Sequence, residues 1–207
     1  MSRTVRQPVR FPTSETKSER RAEIRAAAVR VFAEKGFDTA TMRDIADAVG
    51  TRPGSLYHHF RSKDELLREL LHDYFEHGLQ MTRELVSQDK DAGLVLRESL
   101  EALLRYVLRR PLETKIVFYD YRILSEIPEL DFISRDQHGI ERLWVGLFER
   151  AIAEGHVRSD VNPEIAYETI SGAIFAAVRW YVPDGPITED MIVEQQMNMY
   201  LDGLRTR

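Results

Sequence analysis

Apolar residues recur along this 207-residue chain at three- and four-residue intervals, the period of helices that bury one face. Ile24, Ala27, Ala28, Val31 and Phe32 share such a face in a segment that opens near Ser18. Gly36, just after Lys35, is placed for a left-handed C-terminal cap. A shorter segment follows, "MRDIADAV", with Met42, Ile45, Ala46 and Val49 inward. Thr41 precedes it and Asp44 stands three residues on, the order of a capping box, and Gly50 closes it. Pro53 suits the first position of a third helix reaching Phe60, with Leu56 and Phe60 as its buried side. Ser62 and Glu65 repeat the capping pattern ahead of a long fourth helix through Leu66, Leu67, Leu70, Leu71, Tyr74 and Phe75.

The later pattern stays helical. Residues 94–108 are amphipathic and stop near Pro111; residues 133–153 run up to Gly155; Asn162-Pro163 opens a helix through 180, and Thr188 opens the last. The stretch "LETKIVFYDYRIL" is rich in β-branched and aromatic residues and reads as strand or helix. No neighbouring run alternates, so a strand would have no partner, and helix is the expectation. The chain is therefore expected to be all-α, with about nine helices.

Composition narrows this. With 43% hydrophobic and 30% charged residues the chain falls in the ordinary globular range, long enough for a substantial core in one domain or two. Cysteine is absent, which removes disulfides, thiolate metal sites and cysteine nucleophiles. The longest apolar run, near 173–178, is far below the roughly 20 residues that span a bilayer. Nor does "MSRTVRQPVRFPTSETK" carry the apolar core of a secretory signal. A cytoplasmic protein without membrane contact is the expectation. Residues 1–16 read as a flexible arm, 17–62 as a helix-turn-helix three-helix domain, and 63–207 as a larger helical domain.

Charge is distributed unevenly. Residues 1–63 hold 13 of the 29 Lys+Arg and 7 of the 34 Asp+Glu, a net +6 that leaves −11 for the remainder. A basic end on an acidic chain is the electrostatic footprint of a nucleic-acid binder. The two short segments joined around Gly50 form a helix-turn-helix, and docking them through their apolar faces leaves Pro53, Ser55, Tyr57 and His58 outward. Such a helix can enter a major groove about 12 Å wide. Tyr57 can donate its hydroxyl to a phosphate or lay its ring on a thymine methyl, and His58 and His59 can donate ring N–H groups. His59 also reads as a packing residue bonded to backbone. Lys63, in the first turn of the fourth helix, opposes the helix dipole and reads as part of a phosphate clamp. A merely solvated corner is the bland alternative. The arm's Arg3, Arg6 and Arg10 read equally as a minor-groove arm or as an inert tail.

The stretch "TMRDIADAVGTRPGSLYHHFRSKDEL" resembles the DNA-binding signature of the TetR family of bacterial repressors, over about residues 20–67. The match rests on Gly50, Leu56, Tyr57, His59, Phe60 and Lys63. The resemblance implies a homodimeric repressor on a near-palindromic operator, released by a small effector bound in the C-terminal domain. It places Arg43, Pro53, Gly54, Ser55 and Tyr57 near bases, and Thr41, His59 and Lys63 on phosphates. One departure is Arg52, which stands where the family often has Ser or Thr. Either Thr51 caps the third helix or the cap is forgone, and Arg52 becomes a candidate DNA contact itself.

Beyond the corner the chain is dense in aromatics, which suits an apolar pocket between helices. Tyr106, Phe118, Tyr121, Trp144, Phe148 and Phe175 are the candidate lining, with Arg122, Arg142 and Arg179 as cations near it. A buried arginine needs an anionic partner; an internal one, Glu168 for Arg179, is favoured over a ligand anion. The stretches "ERLWVGLFERAIAEGHVRSDVNPEIAY" and "VRWYVPDGPIT" look like those of KstR-type regulators of steroid-ring catabolism, which implies an acyl-CoA thioester effector. The small-sided surface of Gly172, Ala173 and Ala176, with Trp180, Met191, Gln195 and Met199, is the candidate dimer interface, built as a four-helix bundle. Intrachain packing is the alternative.

An enzyme is the main rival. Asp73 with His77, or His72 with Glu76, have the spacing of paired metal ligands, but no third ligand and no nucleophile–base set accompany them. No catalytic residue, metal or cofactor is assigned. A DNA-binding architectural protein without an effector is the third reading.

Overall fold

The computed structural model of the chain describes residues 14–124 and 126–205, with the backbone alone for residues 14–16, 121–123 and 129. Among the described residues nine α-helices follow one another: α1 (Ser14–Lys35), α2 (Met42–Val49), α3 (Pro53–Leu56), α4 (Lys63–Val86), α5 (Ala92–Arg109), α6 (Pro111–Leu124), α7 (Asp131–Ala153), α8 (Pro163–Ala176) and α9 (Glu189–Leu204). Short 3-10 turns precede α7 and follow α8. The ambiguous stretch is helix α6, and no strand occurs among the described residues. No described helix is long and apolar enough to cross a membrane. Arg3, Arg6 and Arg10 lie outside the described residues.

Three boundaries depart from expectation. Helix α1 begins at Ser14, inside the stretch read as an arm. Helix α3 has four residues, not eight. Arg52 supplies no side-chain cap, so the cap is forgone, and after Leu56 the chain tightens: the N–H groups of His59 and Phe60 both donate to the Leu56 carbonyl, at 2.8 and 2.9 Å. That turn still carries Phe60 into the core beside Leu56, both fully buried. Helix α8 stops at Ala176 and narrows to a 3-10 turn, because Pro183 bars continuation and biases the residue before it away from helix.

The caps explain the remaining ends. Thr41 Oγ1 accepts from the Asp44 N–H at 3.2 Å while Asp44 Oδ2 accepts from the Thr41 N–H at 2.9 Å, a closed capping box. Ser62 Oγ accepts from the Glu65 N–H at 3.0 Å, but the Glu65 carboxylate reaches one residue further back, to the Arg61 N–H at 2.6 Å. Gly50 ends α2 at φ 69°, in the left-handed region.

Buried side chains gather into two clusters. The first joins α1, α2, α3 and the front of α4, with Ile116 and Leu124 of α6 and with Phe132 and Ile133 of α7. The second joins α5, the later part of α7, α8 and α9. Helices as short as α2 and α3 are unstable in isolation. They stand because Ile45, Leu56 and Phe60 are fully buried, each contributing about 1.5–3 kcal/mol by removal from water.

Two predictions follow from this packing. Gly50→Ala is expected to destabilise the fold by about 1 kcal/mol in urea unfolding. The space around a Cβ there is open, so the backbone alone causes the loss and Gly50→Asn should recover part of it. The second concerns Asp44, whose carboxyl is held down to about 2 from the ordinary 3.8, first by the hydrogen bond from Lys35 and then by those from Thr41. A depressed carboxyl stabilises the fold above its unfolded value and ceases to do so as pH falls through the folded one. The stability gap between wild type and Asp44→Ala should therefore narrow between about pH 5 and pH 2; a gap independent of pH would contradict it.

Candidate nucleic-acid interface and ligand cavity

Leu56 and Phe60 turn inward at the α3 corner, so the residues between and before them turn out. Tyr57 is 54% exposed, and Thr41, Arg43, Arg52, Gly54 and His58 are also exposed. Pro53, Ser55 and His59 are half-buried. The exposed side chains of the corner thus include two guanidinium groups, a phenol and an imidazole.

The corner is held from α1 and α4. The Arg21 guanidinium lies 4.1 Å from the Phe60 ring centroid and donates both to the His59 carbonyl and to Glu69 of α4. Arg25, one turn on, donates to Asp73. These pairs form a ladder between α1 and α4, visible in the sequence only as two arginines and two acids each spaced by four. Burial is the main cause that lowers the His59 pKa, with Arg21 the next, so the ring is neutral near pH 7 and has one N–H to donate.

Lys63 is engaged within the protein. Its Nζ donates to the carbonyls of Phe37, Asp38 and Ala40 at 2.9, 3.1 and 3.2 Å, and sits 4.5 Å from the Phe37 ring centroid. An ammonium has three donors, and three carbonyls take them. Here the side chain ties the loop between α1 and α2 to the start of α4. The same loop is held from α6, where Asp120 Oδ2 accepts from the Phe37 N–H at 3.1 Å.

A cavity of about 330 Å³ lies among α4, α5, α6, α7 and α8. Tyr106, Phe118, Trp144 and Phe175 of the expected lining reach it, together with Tyr74, Phe75, Gln137 and Tyr167. Gly78, in the interior of α4, leaves that helix continuous and forms part of the wall. Exposed Phe118, Glu168 and Gly172 mark its opening between α6 and α8. Burial pushes the Tyr106 and Tyr167 hydroxyls up to about 12, so both stay protonated. Phe148 does not line the cavity; it is fully buried in the second core. Arg142 and Arg179 are exposed, and no ion pair joins Arg179 to Glu168 among the described residues. Solvated guanidinium groups need no internal partner. The side chains of Tyr121 and Arg122 lie outside the described residues.

The candidate dimer residues share an outward surface of α8, the turn after it and α9. Gly172, Ala173 and Gln195 are exposed, as are Trp180 at 50%, Met191 at 45% and Met199 at 73%, and Ala176 is half-buried. The helix pairs weighed as metal ligands are ordinary neighbours: Asp73 pairs with Arg25, and His72 Nδ1 lies 3.4 Å from Glu76. Asp91, Glu154 and His156 do approach one another. Both acids are already engaged at the start of α5, on the N–H groups of Leu94 and Ala92, and His156 Nε2 is 2.7 Å from Asp91.

With this geometry in hand, known proteins provide a comparison. A family model described as bacterial regulatory proteins, tetR family, matches residues 24–70, and one for the tetracyclin repressor-like C-terminal domain matches residues 89–204. The HTH-type transcriptional repressor KstR2 of Rhodococcus jostii is 35% identical over 91% of this chain and 92% of its own. The solved structure of the ketosteroid transcriptional regulator KstR2 of Mycobacterium tuberculosis superposes with a TM-score of 0.86 at 30% identity, covering 91% of this chain and 96% of that one. A structure of AibR in complex with isovaleryl coenzyme A and operator DNA shares the fold, with a TM-score of 0.72 at 23% identity over 87% of this chain and 97% of that one.

The two roles open to Lys63, loop tie and phosphate contact, are separable by measurement. Lys63→Met is expected to lower stability by about 1–2 kcal/mol in urea unfolding and to leave the salt dependence of duplex binding unchanged. A log–log salt slope reduced by about 1 would put the ammonium back on a phosphate.

Proposed function

We propose, from the premise that this chain belongs to the tetR family of bacterial regulatory proteins, that it is a dimeric transcriptional repressor released from its operator by a small effector. The observation that carries the reading is the corner itself: Leu56 and Phe60 fully buried beneath a surface of Arg43, Arg52, Gly54, Tyr57 and His58. Arg43, Pro53, Gly54, Ser55 and Tyr57 face base edges, Thr41 and His59 reach phosphates, and Arg52 adds a cation beside them. Residues 17–62 form the DNA-binding unit and residues 63–207 the sensing and dimerising one.

Dimerisation through α8 and α9 is supported by the exposed Trp180, Met191 and Met199 beside Gly172 and Ala173, an apolar area that a single chain leaves uncovered. The effector occupies the cavity among α4–α8. An acyl-CoA thioester fits if its apolar acyl part enters between α6 and α8 while the hydrated phosphates stay outside in solvent. KstR2 as a ketosteroid regulator, and AibR with isovaleryl coenzyme A and operator DNA, lend that class support. Helices α4 and α6 both line the cavity and both grip the α1–α2 loop, through Lys63 and Asp120. Ligand entry that moves either helix moves the loop, respaces the paired corners and weakens DNA binding.

Selection from a pool of random duplexes is expected to enrich a near-palindrome with half-sites about 34–36 Å apart, or somewhat more. Enrichment of an asymmetric site would count against the symmetric dimer. On the selected duplex Tyr57→Ala should cost about 1–3 kcal/mol; an equal loss on random DNA would reduce Tyr57 to a positioning contact. Acyl-CoA titrated into the complex should release DNA, and by reciprocity DNA should weaken acyl-CoA binding by the same factor. Equal acyl-CoA affinity with and without operator would exclude the release mechanism and leave an effector-independent DNA binder.

A further inference from the structure

The hydroxyls of Tyr74, Thr82 and Tyr106 on the cavity wall are satisfied within the protein. The Tyr106 hydroxyl donates to the Tyr74 carbonyl at 2.5 Å, Thr82 Oγ1 donates to the Gly78 carbonyl at 2.8 Å, and the Tyr74 hydroxyl meets Thr114 at 3.0 Å. Trp144 and Gln137 differ. Trp144 is 1% exposed, and its Nε1–H has no acceptor. Gln137 Oε1 is shut off from solvent and receives no hydrogen bond. Both side chains line the same cavity. Both stand on α7 seven residues apart, which puts them on one helix face about 10 Å apart along the axis. The indole is fixed in direction by the Tyr167 ring stacked on it, with centroids 6.4 Å apart and planes 28° apart.

Buried polar atoms in native proteins are rarely left unpaired. One buried donor and one buried acceptor, both unpaired, on one face of the helix that walls the cavity are complementary to a ligand that supplies the missing partners. Resting on the reading of this cavity as the effector site, we propose that Trp144 and Gln137 determine effector specificity. The ligand part that enters is an apolar body with oxygen at two places: a carbonyl or similar acceptor that takes the indole N–H, and a hydroxyl that donates to the Gln137 carboxamide. A plain hydrocarbon chain of equal volume would leave both buried protein groups unpaired. Sites built to bond a polar substituent discriminate strongly against analogues lacking it.

The test uses a rigid saturated probe, 3β-hydroxy-5α-androstan-17-one, with a hydroxyl at one end and a carbonyl at the other, and its parent hydrocarbon 5α-androstane. Each is titrated into the full chain and into two variants. Trp144→Phe keeps an aromatic ring and removes the N–H, and Gln137→Met keeps the length and removes the carboxamide. Each variant is expected to weaken the hydroxyketone about five- to tenfold, the worth of one neutral hydrogen bond, and to change hydrocarbon affinity by less than about twofold. Equal weakening of both probes, or of neither, overturns the pairing and leaves the cavity reading intact. Absence of binding by both probes to the wild type overturns the cavity reading and the pairing with it. Thermal melting checks that Trp144→Phe folds; if it does not, unchanged hydroxyketone affinity in Gln137→Met is sufficient to overturn the pairing.

Discussion

Two helices too short to persist alone have to be held in one orientation, and the start of α4 does this. Lys63 closes the α1–α2 loop by giving its three protons to the Phe37, Asp38 and Ala40 carbonyls. One and two turns on, Leu66, Leu67, Leu70 and Leu71 are buried in the same cluster as the inner faces of α1, α2 and α3. The exposed surface of the corner depends on this support. Tyr57 can point outward only because Leu56 and Phe60 on either side of it are pinned inward, the latter under the Arg21 guanidinium. Binding chemistry on the outside is positioned by apolar burial and carbonyl satisfaction on the inside.

The same helix joins recognition to sensing. Its first three turns belong to the core of the corner, and its later residues Tyr74, Phe75 and Gly78 line the cavity. Helix α6 makes the complementary link, with Val117 and Phe118 on the cavity and Asp120 on the Phe37 N–H. The α1–α2 loop is therefore fixed at two points by two helices that share a cavity wall. A close-packed interior transmits a displacement of such a wall rather than absorbing it, which gives the proposed release a physical route.

Arg105 and Arg109 of α5 meet Glu189 and Asp190 at the start of α9, with Arg105 Nη1 2.6 Å from Glu189. The carboxylates sit in the first turn of α9, where the helix dipole also favours negative charge. The bonds from Arg109 are the first cause that lowers the Glu189 pKa. That anchor sets α9 against α5 and leaves Met191 and Met199 facing out, so the surface proposed for pairing is presented by charge as well as by packing.

Local rules carried the reading of the chain a long way. Helix periods, the Thr41–Asp44 box, Gly50, Pro53 and the Asn162 and Thr188 caps depend on residues within a few positions of one another, and all appear where their spacing put them. Other features depend on residues far apart in the sequence. Lys63 reads locally as a phosphate clamp, because the carbonyls that its ammonium meets lie 23 to 26 residues earlier. Phe148, Arg142 and Arg179 were drawn into the pocket by composition, although the turn of each helix puts the first in the core and the others in solvent. Gln137 has no distinctive local pattern and emerges only because α7 packs its carboxamide against the cavity. Spacing along the chain specifies which helices form and which face each one buries. Which polar atom meets a partner, and which is left waiting for one, depends on how the helices come together, because hydrogen bonds across a core join segments whose separation in sequence carries no signal.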